Sequence, residues 1–212
     1  MITVISTGLG PAGCAESVLT QIGVTVDFRV VDASKQNPRL TKLENVAQIV
    51  RSLPPWRIVA MVDSDDRLAR GDALAIVERA HDTGAWVTYG SFRYSDGRPG
   101  FAAELKGAVR QGPWVTTHLK TFRAGLFQRI CGDDFQYPRD LPIANADDHA
   151  FMMPMIEMAA ERAVFVREVV YEYNLQTSGE WTMTDGELKV EREAAEYIRS
   201  LQPYTRLSVQ PW

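Results

Sequence analysis

Arg57-Ile58-Val59-Ala60-Met61-Val62-Asp63-Ser64-Asp65-Asp66 is the stretch on which the reading of this chain turns. Ile58 to Val62 is an unbroken apolar run, preceded by Pro54-Pro55 and followed at once by carboxylates. A run this short and this continuous fits a strand covered on both faces, as in a parallel sheet flanked by helices. In open α/β sheets ligands bind outside the carboxyl ends of the strands, where the acidic cluster falls. Asp63 and Asp65 alternate, so their side chains can converge, whereas adjacent carboxylates usually diverge. Such a pair of hard oxygen ligands suits Mn²⁺ or Mg²⁺, which take few protein ligands and fill the shell with water and phosphate. The competing reading is turn chemistry, because Asp readily caps helices and fills loops. Asp66 is read as the cap of whatever follows.

Working outward, the first half alternates strand and helix. Ile2–Ser6 is a β-branched run, Cys14–Gln21 a helix, and Val26–Val31 a second strand ending at Asp32. Leu40, Leu43, Val46, Ile49, Val50 and Leu53 form a helical stripe that Pro54 stops. Asp72–His81 is again helical, Gly84 closes it, and Ala85–Tyr89 is a strand. This βαβαβαβ order predicts a single α/β domain over residues 1–212, with a mostly parallel central sheet and helices on both faces. In the second half, 95–100 reads as a loop, Thr117–Ile130 as one helix, and Ala146–Arg162 as another in which Pro154 imposes a kink or a late start. Val164–Val166 and Val169–Tyr173 read as short strands, and Glu187–Leu201 as a charged, solvent-facing helix.

Composition narrows the function. The 212 residues are 45% hydrophobic and 24% charged with a net charge of −4, enough for a core and without the basic balance that nucleic acid or an anionic membrane would need. No nucleic-acid partner is expected. Cys14 and Cys131 have no metal-ligand spacing and are read as reduced, small core residues. The first residues lack the pattern of a signal peptide, and no apolar run reaches the ~20 residues of a spanning helix. A cytoplasmic protein without a transmembrane segment is the expectation.

Gly8-Leu9-Gly10-Pro11-Ala12-Gly13 matches a dinucleotide-binding turn after a strand, with Asp32 near the offset of about 20 residues. Against that reading, Ser6-Thr7 separate the apolar strand from the first glycine, and no Tyr-x-x-x-Lys pair occurs. An NAD(P)-dependent oxidoreductase stands as the alternative. Ala146-Asp147-Asp148-His149 is a second acidic site opening a helix. One aspartate serves as cap there, but capping needs no adjacent second carboxylate, so a general base toward a hydroxyl is the equal alternative.

Taken in order, Val4-Ile5-Ser6-Thr7, Val30-Val31-Asp32-Ala33-Ser34, Val62-Asp63-Ser64-Asp65-Asp66 and Asp147-Asp148-His149 resemble the family 2 glycosyltransferases of GT-A fold. The resemblance runs from about Thr3 to Ser178. It implies that residues 1–90 form a nucleotide-binding half, 91–180 an acceptor and catalytic half, and 181–212 a helical tail. It implies that Thr7, Gly8, Asp32 and Asp63 meet the nucleotide and that Asp65, supported by Asp63, holds Mn²⁺ or Mg²⁺. Asp148 falls at the family's catalytic base, with Asp147 where Glu is usual. The donor it implies is a nucleotide sugar, most commonly a UDP-sugar, and the acceptor a glycan, lipid-linked or small-molecule hydroxyl. The Gln-x-x-Arg-Trp motif of processive synthases is absent, which implies transfer of a single sugar, with inversion. Asp32-Ala33 departs from the family's frequent pair of acids. Tyr171-Glu172-Tyr173-Asn174 resembles its late Tyr-rich strand.

The segment from Trp114 to Arg123 mixes aromatic and basic groups. It reads as an amphipathic helix with Leu119, Phe122 and Leu126 in the core and its charges in water, Trp114 and His118 being weaker acceptor-site candidates. Met152, Met153, Met155 and Met158 are core packing. His149 either orients Asp148 or is buried structurally. A sugar-nucleotide pyrophosphorylase would want Arg and Lys in the 7–13 loop, which has neither, and an inactive sugar-nucleotide-binding module would have no need of a base.

Overall fold

The computed structural model describes residues 1–8, 13–31, 41–135, 146–176 and 184–212. One seven-stranded sheet carries the chain. Its strands are β1 (Ile2–Thr7), β2 (Val26–Val31), β3 (Ile58–Asp63), β4 (Arg67–Leu68), β5 (Val87–Tyr94), β6 (Lys120–Arg123) and β7 (Ala163–Tyr173). They lie in the order β2-β1-β3-β6-β5-β7-β4. β1, β2, β3, β5 and β7 run one way; β6 and β4 are antiparallel to their neighbours.

Period-two alternation sends each strand's side chains to two cores. Ile58, Ala60 and Val62 of β3 meet α1 (Gly13–Leu19) and α3 (Ala73–Asp82) through Val18, Leu74 and Val77. Val59 and Met61 face the opposite core, built on α2 (Lys42–Ser52), α4 (Ala124–Phe127), α5 (Asp147–Ala159) and α6 (Asp185–Ser200). The expected sheet with helices on both faces is what the chain forms. α2 begins where Thr41 and Glu44 make a reciprocal capping box, and it buries Leu43, Val46, Ala47 and Val50. Gly90 permits β5 and β7 to close up, since a Cβ there would stand 2.9 Å from the Val166 carbonyl oxygen.

Several expectations are corrected. Residues 117–130 are not one helix: Lys120–Arg123 is a strand wedged between β3 and β5, and only Ala124–Phe127 is α-helical. The apolar spacing of Leu119, Phe122 and Leu126 suits a helix, but ladder bonds to Ile58–Met61 decide otherwise. Nor is Lys120 in water, being 2% exposed. The two late strands are one, β7, continuous through register shifts opposite Gly90 to Phe92. Pro154 lies inside α5, which starts at Asp147. α6 is not wholly solvent-facing: Ala194 and Ile198 are buried, and beyond it Trp212 packs edge-on to Trp86 at 5.4 Å. Cys14 is buried, whereas Cys131 is exposed. The four methionines of α5 are core residues, as read.

Candidate active site

The parity of β3 places Asp63 on the same side as Val59 and Met61, the face of α2 and α5. β1 pairs Thr7 with Asp63, and the Thr7 hydroxyl donates to Asp63 Oδ1 at 3.2 Å. On the other flank the last β3–β6 pair is Met61 with Lys120, so the same antiparallel register carried two residues further sets His118 opposite Asp63. Gly8 follows with φ +108°, its N–H on the Val31 carbonyl at 2.8 Å; a Cβ there would lie 2.8 Å from Ser64 Oγ.

Two helix starts complete the site. Lys42, in the first turn of α2, brings Nζ to 3.8 Å from Asp63 Oδ1 and 3.8 Å from Asp147 Oδ2. Asp147 and Asp148 open α5. Lys42, Met61, Asp63, His118, Lys120, Asp147, Asp148 and Phe151 line one cavity. The ammonium of Lys120 is in contact with Asp148 Oδ2 and lies 3.5 Å from His118 Nδ1.

The neighbouring carboxylates are held very differently. Asp147 is 6% exposed, and neither of its oxygens has a hydrogen bond among the described residues. Burial pushes its carboxyl up to about 7, helped by Asp148 and Asp63, and Lys42 only partly opposes this. Burial opposes ionisation of Asp148 as well, but the charge and hydrogen bond of Lys120, with the charge of Lys42, take it down to about 2. Asp63 ends below its ordinary value, because Lys42 and Lys120 outweigh its burial. Burial together with Lys120 lowers His118 to about 4, so its imidazole is neutral at pH 7.

Asp66 is not a simple helix cap. Its carboxylate is 3% exposed, accepts the Tyr171 hydroxyl at 2.7 Å and accepts the Asn174 N–H at 2.8 Å. The same Tyr171 oxygen accepts the Asp63 N–H at 3.1 Å. Burial, with the charges of Asp63 and Asp65, pushes Asp66 to about 7 against those bonds. The Tyr171 ring in turn stacks on His118 at 4.5 Å. Asp65 borders a second cavity with Asp66, Arg67, Glu172 and Asn174, and its carbonyl accepts Asn174 Nδ2 at 3.2 Å.

Thr7, Asp63, His118, Asp147 and Asp148 are therefore brought together, while Asp65 borders the adjoining cavity. Trp114 stacks on His149 at 3.9 Å, so that face of the indole is already covered. Asp32, and residues 9–12 of the glycine loop, lie outside the described residues. Sequence reading missed Lys42. A signal existed: the Thr41-x-x-Glu44 box fixes the helix start, and a cation in a first turn opposes the helix dipole. For Lys120 the signal was a charge inside Leu119-Lys120-Thr121-Phe122.

A divalent cation fits the donors present. Ligand atoms of Asp63, Asp66 and His118 all lie within 4.8 Å of one another, two carboxylates and a neutral imidazole. Burial, and after it the charges of Asp63 and Asp65, raise Asp66, and a cation beside these carboxylates would oppose that rise.

No family model matches this chain, and no curated protein sequence matches it. Solved structures do. S. aureus TarS 1–349 in complex with UDP aligns at a TM-score of 0.56 and 15% identity, over 95% of this chain and 67% of that one. In complex with UDP-GlcNAc the figures are 0.56 and 14%, over 92% and 65%. TarS 1–349 without a named ligand gives 0.51 and 14%, over 82% and 60%. The fold is of the GT-A type. This chain thus spans 60% to 67% of the length of TarS 1–349. The GT-A sheet departs from the all-parallel dinucleotide-binding order, because antiparallel β6 separates β3 from β5.

Proposed function

We propose that this protein transfers a single sugar, with inversion, from a nucleoside-diphosphate sugar to an acceptor hydroxyl. The observation that carries the reading is the meeting of Asp63, His118, Lys42, Asp147 and Asp148 at the carboxyl end of β3. The GT-A fold that TarS shares adds support, since TarS is solved with UDP and UDP-GlcNAc. A UDP-sugar is the proposed donor, with Thr7, Gly8, Asp32 and Asp63 about its nucleotide. The acceptor is proposed as a glycan, a lipid-linked sugar or a small molecule. No described helix is long and apolar enough to cross a membrane. The cytoplasm is the proposed setting.

Mn²⁺ or Mg²⁺ would be held by Asp63 and Asp65, with Asp66 and His118 as further donors within reach of Asp63. When bound, such an ion supplies Lewis acidity toward the departing diphosphate. The protein's own groups do the rest. The acceptor oxygen attacks the anomeric carbon, its proton passes to the Asp147-Asp148 pair, and the bond to the diphosphate breaks with its electrons on the leaving oxygen. Lys42 and Lys120 keep the carboxylates in place and balance their charge. Positive charge building on the sugar ring meets the carboxylates of the same cavity.

Melting scans with UDP, UDP-GlcNAc and NAD(P)H, each with and without Mn²⁺, test the reading through binding linkage. Stabilisation by UDP that requires Mn²⁺ is expected. Stabilisation by NAD(P)H without metal would overturn it.

A further inference from the structure

Asp147 and Asp148 are adjacent in sequence, line one cavity and differ in what a proton would do to them. A proton on Asp148 would remove the charge that compensates Lys120, whose side chain is only 3% exposed. A buried ammonium without its counter-ion is costly, so Asp148 is committed to its anionic form. Asp147 has the opposite situation. Neither of its oxygens has a hydrogen bond among the described residues, although it is 6% exposed and faces the cavity. The nearest cation among the described residues, Lys42 Nζ, stands at 3.8 Å, beyond hydrogen-bond reach, and also serves Asp63. A proton on Asp147 strands nothing: Lys42 keeps Asp63, and its own side chain is 46% exposed to water.

We infer that Asp147, rather than Asp148, holds the acceptor hydroxyl and takes its proton, while Asp148 is the fixed anion that pins Lys120. This rests on the transferase reading above. An orphaned carboxylate inside a cavity lacks a hydrogen-bond donor, and a hydroxyl supplies one. A ligand ammonium suits the place less, because Lys42 already brings a positive charge there. The groups facing Asp147 are Lys42 from α2, Asp63 from β3, His118 and Lys120 from the β6 arm and Asp148 from its own helix. In the step itself the acceptor O–H bond breaks toward Asp147, the new O–C bond forms at the anomeric carbon, and the nucleoside diphosphate leaves with the electron pair. The ordering of the two carboxyls agrees, Asp147 rising to about 7 and Asp148 falling to about 2.

Two measurements on the full chain test this separately from the transferase reading. The first follows ¹³C-carboxyl resonances of labelled aspartate from about pH 4 to about pH 9, assigned with Asp147→Asn and Asp148→Asn. The resonance lost in Asp147→Asn should titrate near neutrality, and the one lost in Asp148→Asn should stay ionised throughout. The reverse assignment overturns the inference whether or not the protein turns over a donor. The second reads UDP release from UDP-GlcNAc with water as acceptor. Asp147→Asn should cost at least about 100-fold, the scale of a lost general base. UDP affinity should stay within a few-fold. Asp148→Asn combined with Lys120→Met, which removes the ion pair as a unit, should cost about tenfold. The opposite ranking overturns the inference. Absence of both UDP binding and release in the unaltered protein would count against the transferase reading alone, leaving the titration to decide which carboxylate holds a proton.

Discussion

Lys120 Nζ touches Asp148 Oδ2, and this contact ties strand β6 to the first turn of helix α5, which faces it across the cavity. The two partners are unequally exposed, the lysine side chain at 3% and the carboxylate at 41%. Removing one is therefore not equivalent to removing the other.

Asp148→Asn leaves a buried ammonium uncompensated and should destabilise the fold by about 3 kcal/mol. Lys120→Met leaves a carboxylate that water can reach, so a loss of about 1 kcal/mol or less is expected. Urea unfolding of the two variants measures the asymmetry. Equal losses would show that the pair is not the buried contact described.

Asp66 and Asp147 both rise from 3.8 to about 7, so the folded state holds protons that the unfolded chain has released. Their contribution is fully present below about pH 4 and is lost as pH climbs through 7. Asp148 has the opposite sign: its stabilisation is present above about pH 4 and disappears as pH falls toward 2. Without added metal, unfolding free energy should thus fall by at least about 1 kcal/mol between about pH 5 and about pH 8. Asp66→Asn and Asp147→Asn should each flatten the slope. Chemical denaturation across that range provides the check.

Tyr171→Phe removes one oxygen that serves two partners, the Asp66 carboxylate and the Asp63 N–H. Asp66 loses a partner in a buried setting and the Asp63 N–H in a part-buried one, so a cost of about 2 kcal/mol is expected. Asp63 also loses a tether, and Mn²⁺ affinity, read by electron paramagnetic resonance, should fall. An unchanged melting temperature would contradict the double role.

Gly8→Ala should cost about 1 kcal/mol or more, because φ is +108° and the new Cβ meets Ser64 Oγ at 2.8 Å. Pairing it with Ser64→Ala separates the causes. Contact is relieved, backbone strain is not, and the double variant should recover only part of the loss.

Much of the first half of the chain was legible because its signals are local. Five apolar residues then Asp63, and a capping box before an apolar stripe, need no distant partner to be read. β6 was illegible for the complementary reason: four residues became a strand through pairing with Ile58–Met61, some sixty residues earlier. The roles of Lys120 and Asp66 were hidden likewise, since each depends on a residue far along the chain, Asp148 and Tyr171. Asp147 showed only as an extra acid beside a cap; that its oxygens go unbonded is a property of three helices and strands meeting.

The antiparallel register of β6 carries a rule of parity. Lys120 turns toward Asp148, and its neighbour Thr121 turns through the sheet to His81 Nε2 at 2.8 Å. A slip by one residue would exchange them, seating an ammonium against a buried imidazole and a short hydroxyl opposite Asp148. The phase in which the chain re-enters the sheet at β6 is therefore fixed by charge on one side and by a hydroxyl on the other.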